Sequence, residues 1–247
     1  MIKSPITDLE INSSIVEYDI RSANTSLMRY YNMIPEKQIA SLEKLTKKKR
    51  EIAVGLLCQK DKEFSKKLNN AFDDIVNMFI EVNGLDEMEI LSIKKDAVFV
   101  MNRKDIKTEF GPVIFVPKNR YHSFIKINNF EFYINDEKID VKGLQNQQDK
   151  HVDGILFLIR DILNTCIKSN MNHKDIQNYL SEFVLEYKKK TLDFPIYREF
   201  NQTSQYAVWL DGEKYYFDEI DETYIEELDI SFNYINIILP LVRLLLK

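Results

Sequence analysis

Two aspartates stand beside segments that have the composition of short strands. Asp19 ends the segment 14–20, and Asp96 lies in the connector between 90–93 and 97–100. Two carboxylates on adjacent strands of one sheet can hold divalent cations, because Mg²⁺ prefers oxygen ligands and takes one or two carboxylates together with waters and substrate phosphates. Two such ions would activate an attacking oxygen and stabilise a leaving one. The alternative interpretation of Asp96 is a solvated turn residue, since aspartate is common in turns.

The elements that must position these aspartates begin with a strand and a set of helices. The β-branched and aromatic residues of 14–20 predict a strand, and a helix is expected over 22–31. A long helical tract follows over about 36–82, where apolar residues recur at helical spacing, and Asn83-Gly84 ends it. This tract is rich in lysine. Its lysines form either a solvated face with acidic i,i+4 partners or a face that contacts phosphates.

A β-rich block and further helices follow. The connector Lys94-Lys95-Asp96 predicts a tight hairpin between its flanking strands. Further strands are expected at 112–117, 122–128, 130–134 and 139–144. Helices are expected over 152–168, over 172–187 with Asn172 as N-cap, and over 229–246, with a hairpin at 204–218 around Asp211-Gly212. The order of these elements predicts an α+β fold, not an alternating α/β one.

Composition excludes several classes of protein. The 247 residues carry a net charge of −5, so any nucleic-acid surface must be local. Cys58 and Cys166 lie far apart and predict two reduced thiols, and the three histidines are too scattered for a metal cluster. The N-terminus lacks the apolar core of a secretory signal, and the most apolar segment, 235–246, is too short to span a bilayer. We therefore expect a cytoplasmic protein without membrane contact. The richness in Lys, Asn and Ile is typical of an AT-rich source such as a phage, in which case the location is the host cytoplasm.

Five segments occur in the order of the motifs of family B DNA polymerases. Residues 18–27, YDIRSANTSL, resemble the first palm motif, and residues 93–100, IKKDAVFV, resemble the third. Residues 118–121, KNRY, are similar to the K-K-R-Y element, and 139–144, IDVKGL, to the element at the junction of palm and thumb. The segment 229–244 is similar to the final thumb segment. The resemblance covers nearly the whole chain from about residue 14, with a poor match in the middle.

This resemblance implies a polymerase-like architecture within the α+β class. The palm, built on an antiparallel sheet, would comprise 1–35 and 83–150. A long helical insertion at 36–82 would form reduced fingers, and 151–247 would form a helical thumb with a small hairpin. Because the first palm motif begins within the first twenty residues, we expect the chain to lack the proofreading exonuclease domain of the family.

The resemblance also implies roles for individual residues. Asp19 and Asp96 would be the catalytic carboxylates and would bind Mg²⁺ or Mn²⁺ for nucleotidyl transfer to a primer end. The incoming nucleoside triphosphate would lie over the backbone that follows Asp19, with two cations of the lysine-rich tract nearby: Ile20, Arg21, Ser22, Ala23, Asn24, Lys48 and Arg50. Basic and aromatic side chains would contact the primer–template, namely Lys94, Lys95, Lys118, Arg120, Tyr121 and Lys142.

The sequence departs from the family pattern at several points. The earlier aspartate of the third palm motif is Lys94, next to Lys95, and these ammonium groups would stabilise the Asp96 carboxylate while competing with metal ions for it. The tyrosine that selects against ribose is Asn24, and the fingers motif K-x-x-x-N-S-x-Y-G is not recognisable. A second interpretation is therefore a catalytically degenerate module that binds nucleic acid or serves in a replication or transcription assembly, with a protein partner supplying the missing polymerase domains. A third is an α+β domain whose resemblance arises by chance.

Overall fold

The computed structural model of the protein divides the chain into two units. The described residues are 3, 5, 7–127, 130–142, 159, 161–168, 171–194, 196–197, 207–210, 212–216, 221–226, 228, 230–231 and 234–246. The first unit comprises Met1–Phe124 with Tyr133–Lys138, and the second comprises Ile125–Phe132 with Ile139–Lys247. Each unit contains helices and antiparallel strands, so the α+β class is confirmed.

The first unit places a run of helices between two strands of one sheet. In chain order its elements are β1 (Leu9–Glu10), β2 (Ile15–Ile20), α1 (Ala23–Tyr30), α2 (Glu36–Glu43), α3 (Lys47–Lys60), α4 (Lys62–Asn83), β3 (Ile90–Lys94), β4 (Ala97–Met101), β5 (Glu109–Phe110) and β6 (Val113–Tyr121). The unit boundaries fall within β7 (Ser123–Ile127) and β8 (Phe130–Ile134), and β9 (Ile139–Lys142) lies in the second unit.

The five-stranded sheet of the first unit has the order β3-β4-β2-β6-β5, with antiparallel pairing throughout. Its central strand is β2, in which Asp19 lies opposite Ala97 of β4. The pairing of β2 with β6 shifts between Glu17 and Tyr18, which leaves Lys118 as an extra residue of β6. Such an extra residue is a β-bulge, a feature that redirects a side chain.

The two faces of this sheet bury different sets of side chains. On one face Tyr18 packs against Phe79 of α4, with 5.6 Å between the ring centroids. The other face carries an aromatic cluster in which the rings of Phe99 and Tyr133 stack at 4.3 Å. Because side chains alternate along a strand, Asp19 lies on the same side of the sheet as this aromatic cluster. The strand that carries it is thus held by packing on both sides.

The helical tract predicted over 36–82 consists of three helices. The chain breaks after α2 and again at Asp61, whose carboxylate accepts a hydrogen bond from the Phe64 N–H at 2.9 Å and caps α4. Aspartate occurs both as a helix N-cap and on the solvated face of a helix. The spacing of apolar residues therefore did not indicate the break at Asp61. The predicted end is confirmed: α4 ends at Asn83, and Gly84 adopts the left-handed conformation (φ 56°) that glycine tolerates.

The strands follow the predictions with changes at their ends. β3 and β4 form the predicted hairpin, but Lys94 belongs to β3, so Lys95 and Asp96 alone connect the strands. β6 continues past the predicted 112–117 as far as Tyr121. The two-residue strands β1 and β5 were not predicted, because two residues are too few to show alternation.

The second unit contains a capped helix and a hairpin. Helix α5 (His173–Lys188) begins after Asn172, whose side chain accepts a hydrogen bond from the Asp175 N–H at 3.0 Å, as predicted. The other described elements are the strands β10 (Ala207–Leu210) and β11 (Glu213–Tyr216), the π-helical segments Asn164–Lys168 and Tyr234–Ile238, the 3₁₀ turn Glu222–Tyr224 and helix α6 (Leu239–Leu245).

Some predicted features fall outside the described residues. They are the end of the strand 139–144, the first part of the helix 152–168, the outer residues and Asp211 of the hairpin 204–218, and Asp229 of the last helix. The hairpin itself is confirmed by its described strands, which pair Ala207 with Tyr216. In the part of the chain that the structure describes, no helix is long and apolar enough to span a bilayer.

Candidate active site

The sheet brings Asp19 and Asp96 to the same end of two neighbouring strands. Asp19 lies opposite Ala97, the first residue of β4, and Asp96 directly precedes Ala97. The Ile20 N–H donates a hydrogen bond to the Asp96 carbonyl oxygen at 3.0 Å. Both aspartates line one pocket of about 290 Å³, so the two acidic groups share one space.

The turn after β2 and one face of α3 form most of the remaining wall of this pocket. All five residues predicted to lie under a triphosphate are part of the lining. The lining residues are Asp19, Ile20, Arg21, Ser22, Ala23, Asn24, Lys47, Arg50, Glu51, Asp96 and Val116.

The start of α1 offers hydrogen-bond donors at the pocket wall. Ser22 adopts a left-handed conformation (φ 49°), which costs a non-glycine residue roughly 1–2 kcal/mol and is concentrated at functional sites. Two hydroxyls hold the turn, since Ser26 Oγ donates to the Arg21 carbonyl at 2.8 Å and Thr25 Oγ1 donates to the Ser22 carbonyl at 3.1 Å. The first N–H groups of a helix have no partner inside it, and Ser22 makes no side-chain cap.

Two of the three basic residues in the pocket lining come from one face of α3, and the third, Arg21, follows β2. Lys47 and Arg50 line the pocket together with Glu51, because residues three and four apart share a helix face. Lys48, which the sequence predicted as a triphosphate ligand, is rotated by about 100° from Lys47 and is not part of the lining. Of the two cations predicted from this helix, Arg50 lines the pocket and Lys48 does not, whereas Lys47 does. Lys47 and Glu51 were both missed.

A lysine pairs with the first carboxylate of the site. Lys118 Nζ donates a hydrogen bond to Asp19 Oδ2 at 2.7 Å, and this contact raises the pKa of Lys118. The bulge in β6 accounts for this direction of the side chain. The side chain of Asp96 is open to solvent on one side. Its pKa is nevertheless raised, chiefly because part of the carboxyl group is buried and also because of the charge of Asp19. The charge of Asp19 thus disfavours the ionisation of Asp96.

A buried glutamate behind the pocket was not identified from the sequence. Glu17 is 2% exposed, and its Oε2 accepts hydrogen bonds from Asn119 Nδ2 at 2.6 Å and from the Tyr121 hydroxyl at 3.2 Å. The available signal was a charged residue inside the apolar strand IVEYDI. Tyr121 is itself 3% exposed and its ring lies 5.4 Å from that of Tyr133. The expectation that Tyr121 faces the primer–template does not fit this position, because the sheet core covers the ring.

The other residues predicted to bind nucleic acid are dispersed. The Lys95 ammonium lies over the Phe72 ring of α4, 4.7 Å from its centroid, so it is drawn toward the helix. Lys94 is the half-buried end of β3, Arg120 is exposed on β6, and Lys142 ends β9 in the second unit. The described lining of the pocket includes none of these four basic residues.

Comparison with known sequences places the chain in a family. The sequence model of the family described as bacteriophage PBS1 gene 130 protein matches residues 6–247. The chain belongs to this family. The family name agrees with the phage-like origin expected from composition, and it states no activity. A search of curated proteins found no match.

For this member of the PBS1 gene 130 protein family, the fit to a metal ion depends on two residues. Within the described ranges, no group of three or more His, Cys, Asp and Glu side chains could hold a metal. Asp19 and Asp96 offer the hard oxygen ligands that suit Mg²⁺ and Mn²⁺. Because Mg²⁺ often binds one or two carboxylates and takes its other ligands from waters and substrate phosphates, the pair fits an ion that arrives with a phosphate.

The raised pKa of Asp96 predicts a pH-dependent destabilisation of the fold. The folded state holds the Asp96 proton more tightly than the unfolded chain does. The contribution of Asp96 to the free energy of unfolding is therefore greatest below the ordinary aspartate pKa of about 3.9, and it falls as the pH rises through the raised pKa of the folded state. Asp96→Asn removes the charge. We expect it to raise the free energy of unfolding by at most about 1 kcal/mol near pH 8, since solvent screens an exposed group, and by less near pH 4.

Urea denaturation with EDTA at the two pH values measures this effect. Asp105→Asn, at an exposed loop position outside the pocket, is the matched control and should show no such dependence. A gain for Asp96→Asn at the lower pH that equals the gain at the higher pH would contradict the prediction.

Proposed function

We propose that the chain transfers nucleotides from a nucleoside triphosphate to the 3′ end of a primer annealed to a template. The observation that carries this proposal is that Asp19 and Asp96 share one pocket with the open start of α1 and with three cations, Arg21, Lys47 and Arg50. The resemblance of the segments around Asp19 and Asp96 to family B palm motifs supports the same assignment, because both motifs contribute residues to this pocket.

Each part of the pocket suits one part of this reaction. Asp19 and Asp96 are the ligands for divalent ions, which supply activation of the 3′-hydroxyl and stabilisation of the leaving pyrophosphate. The unpaired N–H groups and the dipole at the start of α1 favour phosphate oxygens. Lys47 and Arg50 neutralise phosphate charge, and the guanidinium of Arg50 can bind two oxygens at once.

The size of the pocket limits what it holds. A volume of about 290 Å³ is at the low end for small-molecule sites, which suits phosphates and ions better than a whole nucleotide. The sugar and base then extend out of the pocket toward the primer–template. Asn24 lines the wall where family B DNA polymerases have the tyrosine that excludes ribose, so both DNA and RNA products are compatible with the proposal.

One observation favours a second candidate function, a catalytically degenerate module. Lys118 pairs with Asp19, and Lys94 stands where family B DNA polymerases have a further aspartate. In this alternative the pocket binds nucleotide or nucleic-acid phosphates without turnover. The chain then serves as a subunit of a replication or transcription assembly that a protein partner completes.

Two measurements on the purified full chain separate these functions. One is the binding of a fluorescent nucleoside triphosphate, and the other is extension of a labelled primer with Mg²⁺ or Mn²⁺. Lys47→Gln with Arg50→Gln removes two charges from the pocket, and Lys48→Gln with Lys49→Gln removes two charges from the same helix outside the lining. We expect the pocket pair to weaken triphosphate binding by about 10- to 100-fold and the control pair by less than about threefold.

Each outcome has a distinct meaning. Metal-dependent extension that EDTA stops supports the polymerase reaction. Triphosphate binding without incorporation in either metal favours the degenerate module. Equal losses in the two double variants would show that general charge, not the pocket, binds the triphosphate.

A further inference from the structure

The ion pair of Lys118 with Asp19 places a protein cation on a proposed metal ligand. Lys118 Nζ lies 2.7 Å from Asp19 Oδ2, and the two side chains are 52% and 22% exposed. Lys118 is therefore the counter-ion of the Asp19 carboxylate, and about half of its own side chain remains accessible to solvent.

The position of Lys118 is built into the sheet. It is the extra residue of the β6 bulge, and the next residue is held on both sides: Asn119 donates to Glu17 at 2.6 Å and accepts from Lys138 Nζ at 3.2 Å. The backbone is thus fixed by packing and hydrogen bonds. The lysine side chain is long and half-exposed, so its ammonium can change partner without a movement of the strand.

A divalent cation and Lys118 would compete for Asp19. The pocket already holds charges of both signs, since its lining includes Asp19, Arg21, Lys47, Arg50, Glu51 and Asp96. A divalent cation held by Asp19 and Asp96 would lie close to the Lys118 ammonium on the same carboxylate, where two positive charges repel each other strongly in a partly desolvated site.

We propose that Lys118 is an exchangeable counter-ion, which holds Asp19 until a divalent cation displaces it and then binds a phosphate oxygen. This inference rests on the proposed function, because it takes Asp19 as a metal ligand. It links the two binding events, since the metal frees the ammonium for phosphate and the phosphate keeps the ammonium away from the metal ligand. By linkage the effect is reciprocal: phosphate and metal each strengthen the binding of the other.

The affinity of the full chain for Mn²⁺, measured from the paramagnetic signal of the free ion, tests the exchange. Lys118→Met removes the ammonium and keeps the length of the side chain, and we expect the Kd for Mn²⁺ to fall by about tenfold. Lys118→Arg keeps the charge and should stay within about twofold of the wild type. Lys104→Met, at an exposed loop position outside the pocket, is the matched control for loss of one charge and should also leave the affinity unchanged.

The reactivity of Lys118 gives a second readout that does not depend on activity. Acylation by an amine-reactive ester, followed by mass spectrometry, should be faster at Lys118 once Mn²⁺ is added and unchanged at Lys104. Two further arms identify the source of the phosphate. A nucleoside triphosphate and a primer–template duplex are each added with Mn²⁺ present, and the one that protects Lys118 from acylation is identified as the phosphate source. Protection by neither overturns the phosphate-binding step.

The failures of the inference and of the proposed function differ in what they show. If the Mn²⁺ affinity of Lys118→Met equals or falls below that of the wild type, the exchange is wrong while Asp19 remains a metal ligand. Lys118→Gln repeats the measurement if circular dichroism shows that the methionine variant does not fold. If neither the wild type nor a neutral variant binds Mn²⁺, the proposed metal chemistry itself is overturned.

Discussion

Asp19→Asn is expected to lower the rate of nucleotide incorporation by at least about 10³-fold while the fold stays intact. Asparagine has the size of aspartate, but it carries no charge and replaces one of the two carboxylate oxygens with an amide. Metal ions contribute several kcal/mol of charge stabilisation in the transition state, and each 1.36 kcal/mol corresponds to about a tenfold change in rate. Single-turnover extension of a labelled primer with Mn²⁺ measures the loss.

Stability separates this loss of function from a loss of fold. The substitution removes the repulsion between Asp19 and Asp96, and it also removes the partner of Lys118. These two effects oppose each other, so we expect the free energy of unfolding to change by less than about 1 kcal/mol. Asp105→Asn, exposed and outside the pocket, should keep full activity. Incorporation by Asp19→Asn within tenfold of the wild type would exclude Asp19 as an essential metal ligand.

The sequence could predict that the two aspartates meet, because the features involved are local. A strand that ends near Asp19 and a tight hairpin at Asp96 need only short-range signals, and the motif resemblance indicated that the two belong to one sheet. The predicted hairpin is confirmed, with a shorter connector. The local sequence pattern and the motif resemblance together therefore predicted that Asp19 and Asp96 lie at one end of the sheet.

The cations around the site could not be assigned in the same way. Which lysine of α3 enters the pocket depends on where that helix starts and how it is rotated, and the break before Lys47 was hidden within a continuous lysine-rich pattern. Lys118 reaches Asp19 from a bulge, and one extra residue changes which side chain shares a face with the aspartate. Both outcomes depend on pairing and packing across the chain.

Tertiary packing determines where two of the residues predicted to bind nucleic acid lie. Tyr121 has an aromatic ring that could stack on a base. The aromatic cluster on its face of the sheet covers this ring, and its hydroxyl donates a hydrogen bond to Glu17. Lys95 has the charge of a phosphate ligand, yet it lies over Phe72. Residue type says what a side chain can bind, whereas the tertiary fold determines what it can reach.

Phe79→Ala is expected to lower the free energy of unfolding of the first unit by about 3–5 kcal/mol. Phe79 is completely buried in α4, and its ring centroid lies 4.3 Å from that of Phe115, 5.6 Å from that of Tyr18 and 6.2 Å from that of Phe110. Truncation leaves a cavity at the point where α4, β2 and β6 meet. Urea denaturation, followed by circular dichroism, measures the loss.

Val82→Ala is the matched control, because Val82 lies in the same helix with half of its surface exposed, and its loss should stay below about 1 kcal/mol. Phe79 is not part of the pocket lining. The folded fraction of Phe79→Ala at low temperature should therefore incorporate nucleotides at close to the wild-type rate, whereas Asp19→Asn stays folded and inactive. If Phe79→Ala were instead stable and inactive, the packing of Phe79 on Tyr18 would control the position of the neighbouring Asp19 directly, and the aromatic core would belong to the catalytic site.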